Sequence, residues 1–208
     1  RGGLAEIFGA VQALEEAAEE RGLPVRGELV EGRWSLVYSA QELQGAAGLG
    51  DSDGIVDRLT AQAYRFFFRF APALAGAQGS TAPAQSWWGT PRNEQLVDLA
   101  AGTVRNVVEV TLPGSPPPPW RARIVVEGEA KPAPGGDGAA LRIVFTRFSA
   151  AVVGDVPPWL PSLPPLPLPR PNGRLDTTFV DDELRVSRGG RGGIFVLKRL
   201  GPKSALGA

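Results

Sequence analysis

Cysteine and histidine are both absent from this 208-residue chain. Without cysteine no disulfide framework forms, and cysteine usage gives no reading of the redox compartment. Without either residue, zinc sites, Ser–His triads and cysteine nucleophiles are excluded, which removes most hydrolase and metalloenzyme chemistry at once. Carboxylate-only metal binding and carboxylate acid–base chemistry stay open on composition alone. No motif points to either, so neither a metal nor a cofactor is expected.

Net charge is absent too, because 22 Lys and Arg balance 22 Asp and Glu. Bulk electrostatic attraction to nucleic acid is therefore not expected, although charge can still be unevenly spread over the surface. No run of about 18 apolar residues occurs, so no transmembrane helix is expected. No secretory h-region or Arg/Ser-rich transit peptide is present. The start at Arg1, without Met, is expected of a trimmed or mature form.

What is present suits a globular chain, with 43% apolar and 8% aromatic residues. Its length suits one domain over residues 1–208 with one sizeable core. Leu4, Ile7, Phe8, Val11, Leu14 and Ala18 recur at three- and four-residue spacing, which predicts a helix over 4–21. Gly22 and Pro24 then stop it. Glu15, Glu16, Glu19 and Glu20 crowd its C-terminal end, where the helix dipole disfavours anions. They read as a solvated acidic face or as a partner-docking or membrane-lying surface, and an anionic bilayer would repel them.

Period-two alternation dominates the remainder, with the sheet expected over about 29–200. Leu29 to Ala40 reads as a strand, with Trp34, Leu36 and Tyr38 on one face. Ala63 to Phe70 puts Tyr64, Phe66 and Phe68 on one face, interleaved with Arg65 and Arg69. That stretch is either a strand with an aromatic core face or a basic-aromatic edge for lipid headgroups. Trp87 and Trp88 fall in a long loop, as a pocket cap or an interface anchor. Further strands are expected at 95–99, 103–112, 120–129 and 141–148, starting with Trp120 in the third and carrying Phe145 in the fourth. Prolines crowd 156–171, which forbids a helix interior or central strand and favours an extended segment. Trp159 and four leucines make it too apolar for a free linker, so it wraps the core or presents an apolar edge to lipid.

The densest information lies in Gly173 to Arg199. Leu175 to Phe179, Leu184 to Arg188 and Ile194 to Arg199 alternate as three strands of a meander. An acidic turn at Asp181-Asp182-Glu183 joins the first two, and a glycine-rich turn joins the others. Asp176, Asp181, Asp182, Glu183, Arg185 and Arg188 form the densest charge cluster. These charges either hold the turn through ion pairs and amide caps, bind a ligand or partner, or act as an acid pair. Asp181 and Asp182 point to opposite faces of an extended backbone, which disfavours shared chemistry.

The ordered motif Leu175-Asp176-Thr177-Thr178-Phe179, the acidic turn, Leu184-Arg185-Val186-Ser187-Arg188-Gly189 and Phe195-Val196-Leu197 resembles the signature of the plastid lipid-associated proteins, the plastid fibrillins. Phe179 stands where tyrosine is usual and Val186 where isoleucine is usual. Gly32-x-Trp34, continuing to Ser39, resembles the same family and also the lipocalin first strand.

The expected fold is mainly β, a lipocalin-like up-and-down antiparallel β-barrel of about eight strands behind an N-terminal helix. Trp34 plugs one end in that reading. If the first and last strands are neighbours, Arg185 or Arg199 stacks on its ring. The resemblance implies a non-enzymatic protein of plastoglobules or thylakoids that binds isoprenoid, carotenoid, quinone or other lipid molecules. Tyr64, Phe66, Phe68, Trp87, Trp88, Trp120, Phe145, Trp159 and Phe179 are the candidate ligand contacts. Gly32, Trp34, Asp176, Asp181, Arg185, Arg188 and Arg199 are the structural motif. The alternatives are a scaffold that docks on an isoprenoid-synthesising or photosynthetic enzyme, and an enzyme using the Asp/Arg cluster.

Overall fold

Alternation of buried and exposed side chains builds the strands, most clearly where β-branched residues are dense. In β3 (Thr103–Thr111), Val104 and Val110 are buried while Thr103, Arg105 and Thr111 are exposed. The computed structural model describes residues 2–23, 25, 27–40, 92–112, 114–115, 117–134, 139–157, 163–168, 172–189 and 193–201. The aromatic stretch at 63–70, Trp87, Trp88 and Trp159 lie outside the described residues.

Helix α1 spans Gly2–Glu20. A 3-10 turn, Gly27–Val30, leads into β1, Gly32–Ala40. Then follow β2 (Arg92–Asp98), β3, β4 (Arg121–Pro132), β5 (Ala140–Val153), β6 (Leu163–Pro167), β7 (Asn172–Val180), β8 (Leu184–Gly189) and β9 (Ile194–Gly201). All pairings are antiparallel, in the order β4-β3-β2-β1-β9-β8-β7-β5. β4 also pairs with β5 from Arg121↔Val153 to Pro132↔Leu141, which closes eight strands into a ring. β1 and β9 are neighbours, as the expected closure requires.

The ninth strand is the difference. β5 gives residues 140–144 to β7 and residues 147–150 to β6, so β6 branches off the ring. Its sequence, LPPLP, explains why it is a side strand. Proline has no N–H to donate, so such a segment takes an edge and not a central position. The expected strand over 29–40 also begins later. Leu29 and Val30 belong to the 3-10 turn, and Gly32 restarts the chain as a strand.

Inside the ring, Val30, Trp34, Val97, Val104, Leu141, Ile143, Val180 and Leu197 form the main core. A second cluster lies outside the ring. There Val11 of α1, with Ile7 and Leu14, packs on Val186, Ile194, Phe179 and Val196. A bulge between Thr177 and Phe179 makes this possible. Simple alternation puts Thr177 and Phe179 on one face, but the bulge reverses the parity. Thr177 stays buried and bonds Ser187 at 3.2 Å, while Thr178 and Phe179 both turn to α1.

One ion pair fixes the helix. Arg188 Nε donates to Glu15 Oε1 at 3.0 Å, and Thr178 Oγ1 donates to the same oxygen at 2.5 Å. Burial by itself raises the Glu15 carboxyl, but the hydrogen bonds from Arg188 and Thr178 and the Arg188 charge outweigh it. The carboxyl is held below its ordinary value of 4.5. A lowered carboxylate contributes stability that is complete above the unfolded value and lost as pH falls through the folded one. Helix docking should therefore weaken as pH drops below 4.5. In Glu15→Gln, near-neutral stability should fall by about 1–3 kcal/mol and the acid dependence should flatten. Chemical denaturation followed across pH 3–7 checks both.

Candidate functional site

The residue that the ring closes on is Trp34, which is wholly buried. Its indole Nε1 donates to the Val30 carbonyl at 2.9 Å. Two guanidinium groups lie over its ring, Arg199 at 4.1 Å and Arg185 at 4.8 Å from the centroid. β1 brings the tryptophan, β8 one arginine and β9 the other. The same groups cap the 3-10 turn, whose C-terminal carbonyls have no helical partner. Arg199 donates to the carbonyls of Glu31 at 2.9 Å and Leu29 at 2.6 Å. Arg185 donates to the Val30 carbonyl at 3.3 Å.

Gly32 permits this approach. Its φ is +129°, and a Cβ there would stand 2.9 Å from Arg199 Nη1.

Arg185 is fully buried and bonds no carboxylate among the described residues. Burial, and second the Arg199 charge, lower its guanidinium to about 9. That is still well above neutral, so it remains a cation. Each guanidinium over the indole is worth about 0.5–2 kcal/mol, which offsets part of the desolvation. Arg185 also reaches the Gln95 side-chain oxygen on β2, and Gln95 Nε2 donates to Asn106 Oδ1 on β3 at 3.0 Å. This polar chain crosses the ring from β8 to β3, so the interior at that level is occupied by the protein's own side chains.

A groove of roughly 470 Å³ lies between the C-terminal half of α1, the chain that follows it and the end of β7. Leu14, Ala17, Ala18, Leu29, Phe179 and Val180 wall it. Arg21, Asp181 and Asp182 supply its charged lining. The small side chains of Ala17 and Ala18 leave the space, and the Thr177–Phe179 bulge supplies the aromatic wall. The volume falls in the range of small-molecule sites, which are mostly apolar with few polar groups.

The charge cluster expected around the β7–β8 turn is dispersed. Asp181 Oδ1 accepts from the Glu183 and Leu184 amides at 2.8 and 2.7 Å, so it caps the turn. Asp176 pairs with Arg174 at 2.7 Å, Arg188 with Glu15, and Arg185 turns inward. No acid pair is assembled there. Among the candidate ligand contacts, Phe179 lines the groove, Phe145 packs against the main core, and Trp120 donates its indole N–H to the Asp155 carbonyl at 2.9 Å. They share no site. The reading from sequence missed Glu15 as the clamp of Arg188, and the wall formed by Leu14, Ala17 and Ala18. Helical spacing places Leu14 and Ala18 on one face, but it does not say what that face meets.

The protein-family comparison matches residues 140–198 to the PAP_fibrillin model. The stretch runs from β5 to β9 and contains Arg185, Arg188 and Phe179. No curated protein sequence and no solved structure matches the chain.

Trp34→Ala should lower stability by about 3–5 kcal/mol, through the cavity and the loss of both stacked cations. Gly32→Ala should also destabilise, since the left-handed backbone and the Arg199 contact both resist a methyl group. Thermal unfolding checks both, and an unchanged Trp34→Ala transition would refute the plug.

Proposed function

We propose that this chain, whose β5–β9 segment carries the PAP_fibrillin match, is a non-enzymatic plastid lipid-associated protein that shelters an apolar molecule at a plastoglobule or thylakoid surface. The match supports a lipid-associated protein of the plastid. The groove between α1 and β7 supports the sheltering role, and it is the observation that carries the reading. It pairs an apolar wall with a polar edge, which suits an isoprenoid, quinone or other lipid whose chain is buried and whose polar end meets water. Removing apolar area from water supplies about 25 cal/mol per Å², before ordering costs. The crossed interior of the ring favours the groove over the interior as the place for the chain.

Asp181 is engaged with turn amides, and no cluster of metal-ligating carboxylates occurs among the described residues. The reading assigns binding alone, with affinity set by shape and burial.

Ala17→Trp should fill the groove while leaving the ring intact. Titration with a fluorescent isoprenoid alcohol should show saturable binding to the natural chain, and a loss of about tenfold or more in the variant, since a blocked pocket loses most of its burial. The thermal transition should not change. Equal binding by both proteins would remove the groove from the account, and no saturable binding by the natural chain would overturn the function.

A further inference from the structure

The zero net charge of the chain conceals a polarised surface. Around the eight-strand ring, β3 lies directly across from β8. Helix α1 covers β7 to β9, and its exposed Glu6, Glu16, Glu19 and Glu20 gather there with the exposed Asp181–Glu183 turn. Next round the ring from β7, β5 and then β4 carry Arg121, Arg123, Lys131, Arg142 and Arg147 against only Glu127 and Glu129.

The register concentrates this charge. Arg142 faces outward between buried Leu141 and Ile143, and it lies directly opposite Lys131 on β4 and Arg174 on β7. Three cations thus stand in one row across three adjacent strands, an arrangement that is destabilising for like charges. Lys131 has Glu129 at 3.2 Å and Arg174 has Asp176 at 2.7 Å, but Arg142 bonds no carboxylate among the described residues. Exposed Arg147, further along β5, bonds none there either. Arg121 and Arg123 share the single carboxylate of Glu109, at 3.3 and 2.6 Å.

Apolar surface adjoins these cations. Pro167 of β6 is the register partner of Arg147. Next to it Leu166 is 46% exposed, and Pro165 is exposed as well. Cations beside an exposed leucine match the division of a lipid interface, with charge at the headgroups and the apolar chain below. A nucleic acid would meet the same cations but would make no use of Leu166 and the prolines.

We propose that the outer wall of β4, β5 and β6 is the face that docks on an anionic lipid surface, with Arg142 and Arg147 against headgroups and Leu166 inserted beneath them. The inference rests on the lipid-associated function and adds the docking face and the headgroup charge. The acidic helix lies on β7 to β9 and not on this wall. Many headgroups act on the wall at once, which suits a convex and solvated patch where a single free anion is screened.

The test is co-flotation of the full chain with vesicles of neutral phosphatidylcholine, and with the same vesicles containing an anionic phosphoglyceride. The chain should float with the anionic vesicles only, and less so as salt rises. Arg142→Glu/Arg147→Glu should weaken that partition by about tenfold or more while the chain still unfolds in one thermal transition, because both sites are exposed and Arg142→Glu relieves the row of like charges. Leu166→Ser should weaken it too, while Ala17→Trp should leave it unchanged. Equal flotation of the double variant and the natural chain would overturn the proposal. So would indifference to lipid charge, or retention of an oligonucleotide in place of vesicles. Failure of the groove shows separately, as absent binding of the isoprenoid alcohol, and does not alter the salt-dependent flotation.

Discussion

The structure depends on one contact, the indole of Trp34 held under the guanidinium groups of Arg185 and Arg199. It ties the first strand to the last two, and so closes the ring where sequence separation is greatest. It also gives the 3-10 turn its caps. Three carbonyls at the end of that turn accept from the two arginines, and the Val30 carbonyl accepts from the indole as well. A buried cation without a carboxylate is expensive. Here the aromatic face, the carbonyl groups and Gln95 take the place of the missing acid.

That solution decides where a ligand can go. Because Arg185, Gln95 and Asn106 cross the ring, the chain uses its interior for its own closure. Space of ligand size is instead left between α1 and the end of β7. The Glu15–Arg188 pair holds the helix in place, and Ala17 and Ala18 line the groove beside it. Charge is sorted by the same topology. The acidic helix covers β7 to β9, and the basic wall begins on the next strand, β5.

Much of this was legible in the sequence, for physical reasons that can be named. The Leu175 to Leu197 motif alternates with period two and carries its own turn residues, so the meander and its acidic turn followed directly. Gly32-x-Trp34 announced the plug, and the closure of first on last strand made Arg185 and Arg199 the stacking candidates. Other features left no local trace. Glu15 and Arg188 lie 173 positions apart, and no spacing rule links them. Leu29 and Val30 continue an apolar run into the strand, so periodicity did not separate the 3-10 turn from β1. The bulge at Thr177–Phe179 reversed the face of Phe179, and a parity argument has no means of sensing one inserted residue. The β6 prolines were read correctly as excluded from a central strand, but their pairing with β5 depends on that strand running past Phe148 to Ala150. Ala150 and Ala151, weak strand formers, hid that extension.

The central claim is that the chain holds an apolar molecule. Native mass spectrometry of the purified protein, combined with organic extraction of the same sample, tests it most directly. The account predicts a mass increment released by extraction and recovered as one class of isoprenoid or other lipid, in stoichiometric amount. Repeated preparations that show only the bare chain mass, with nothing apolar in the extract, would contradict it.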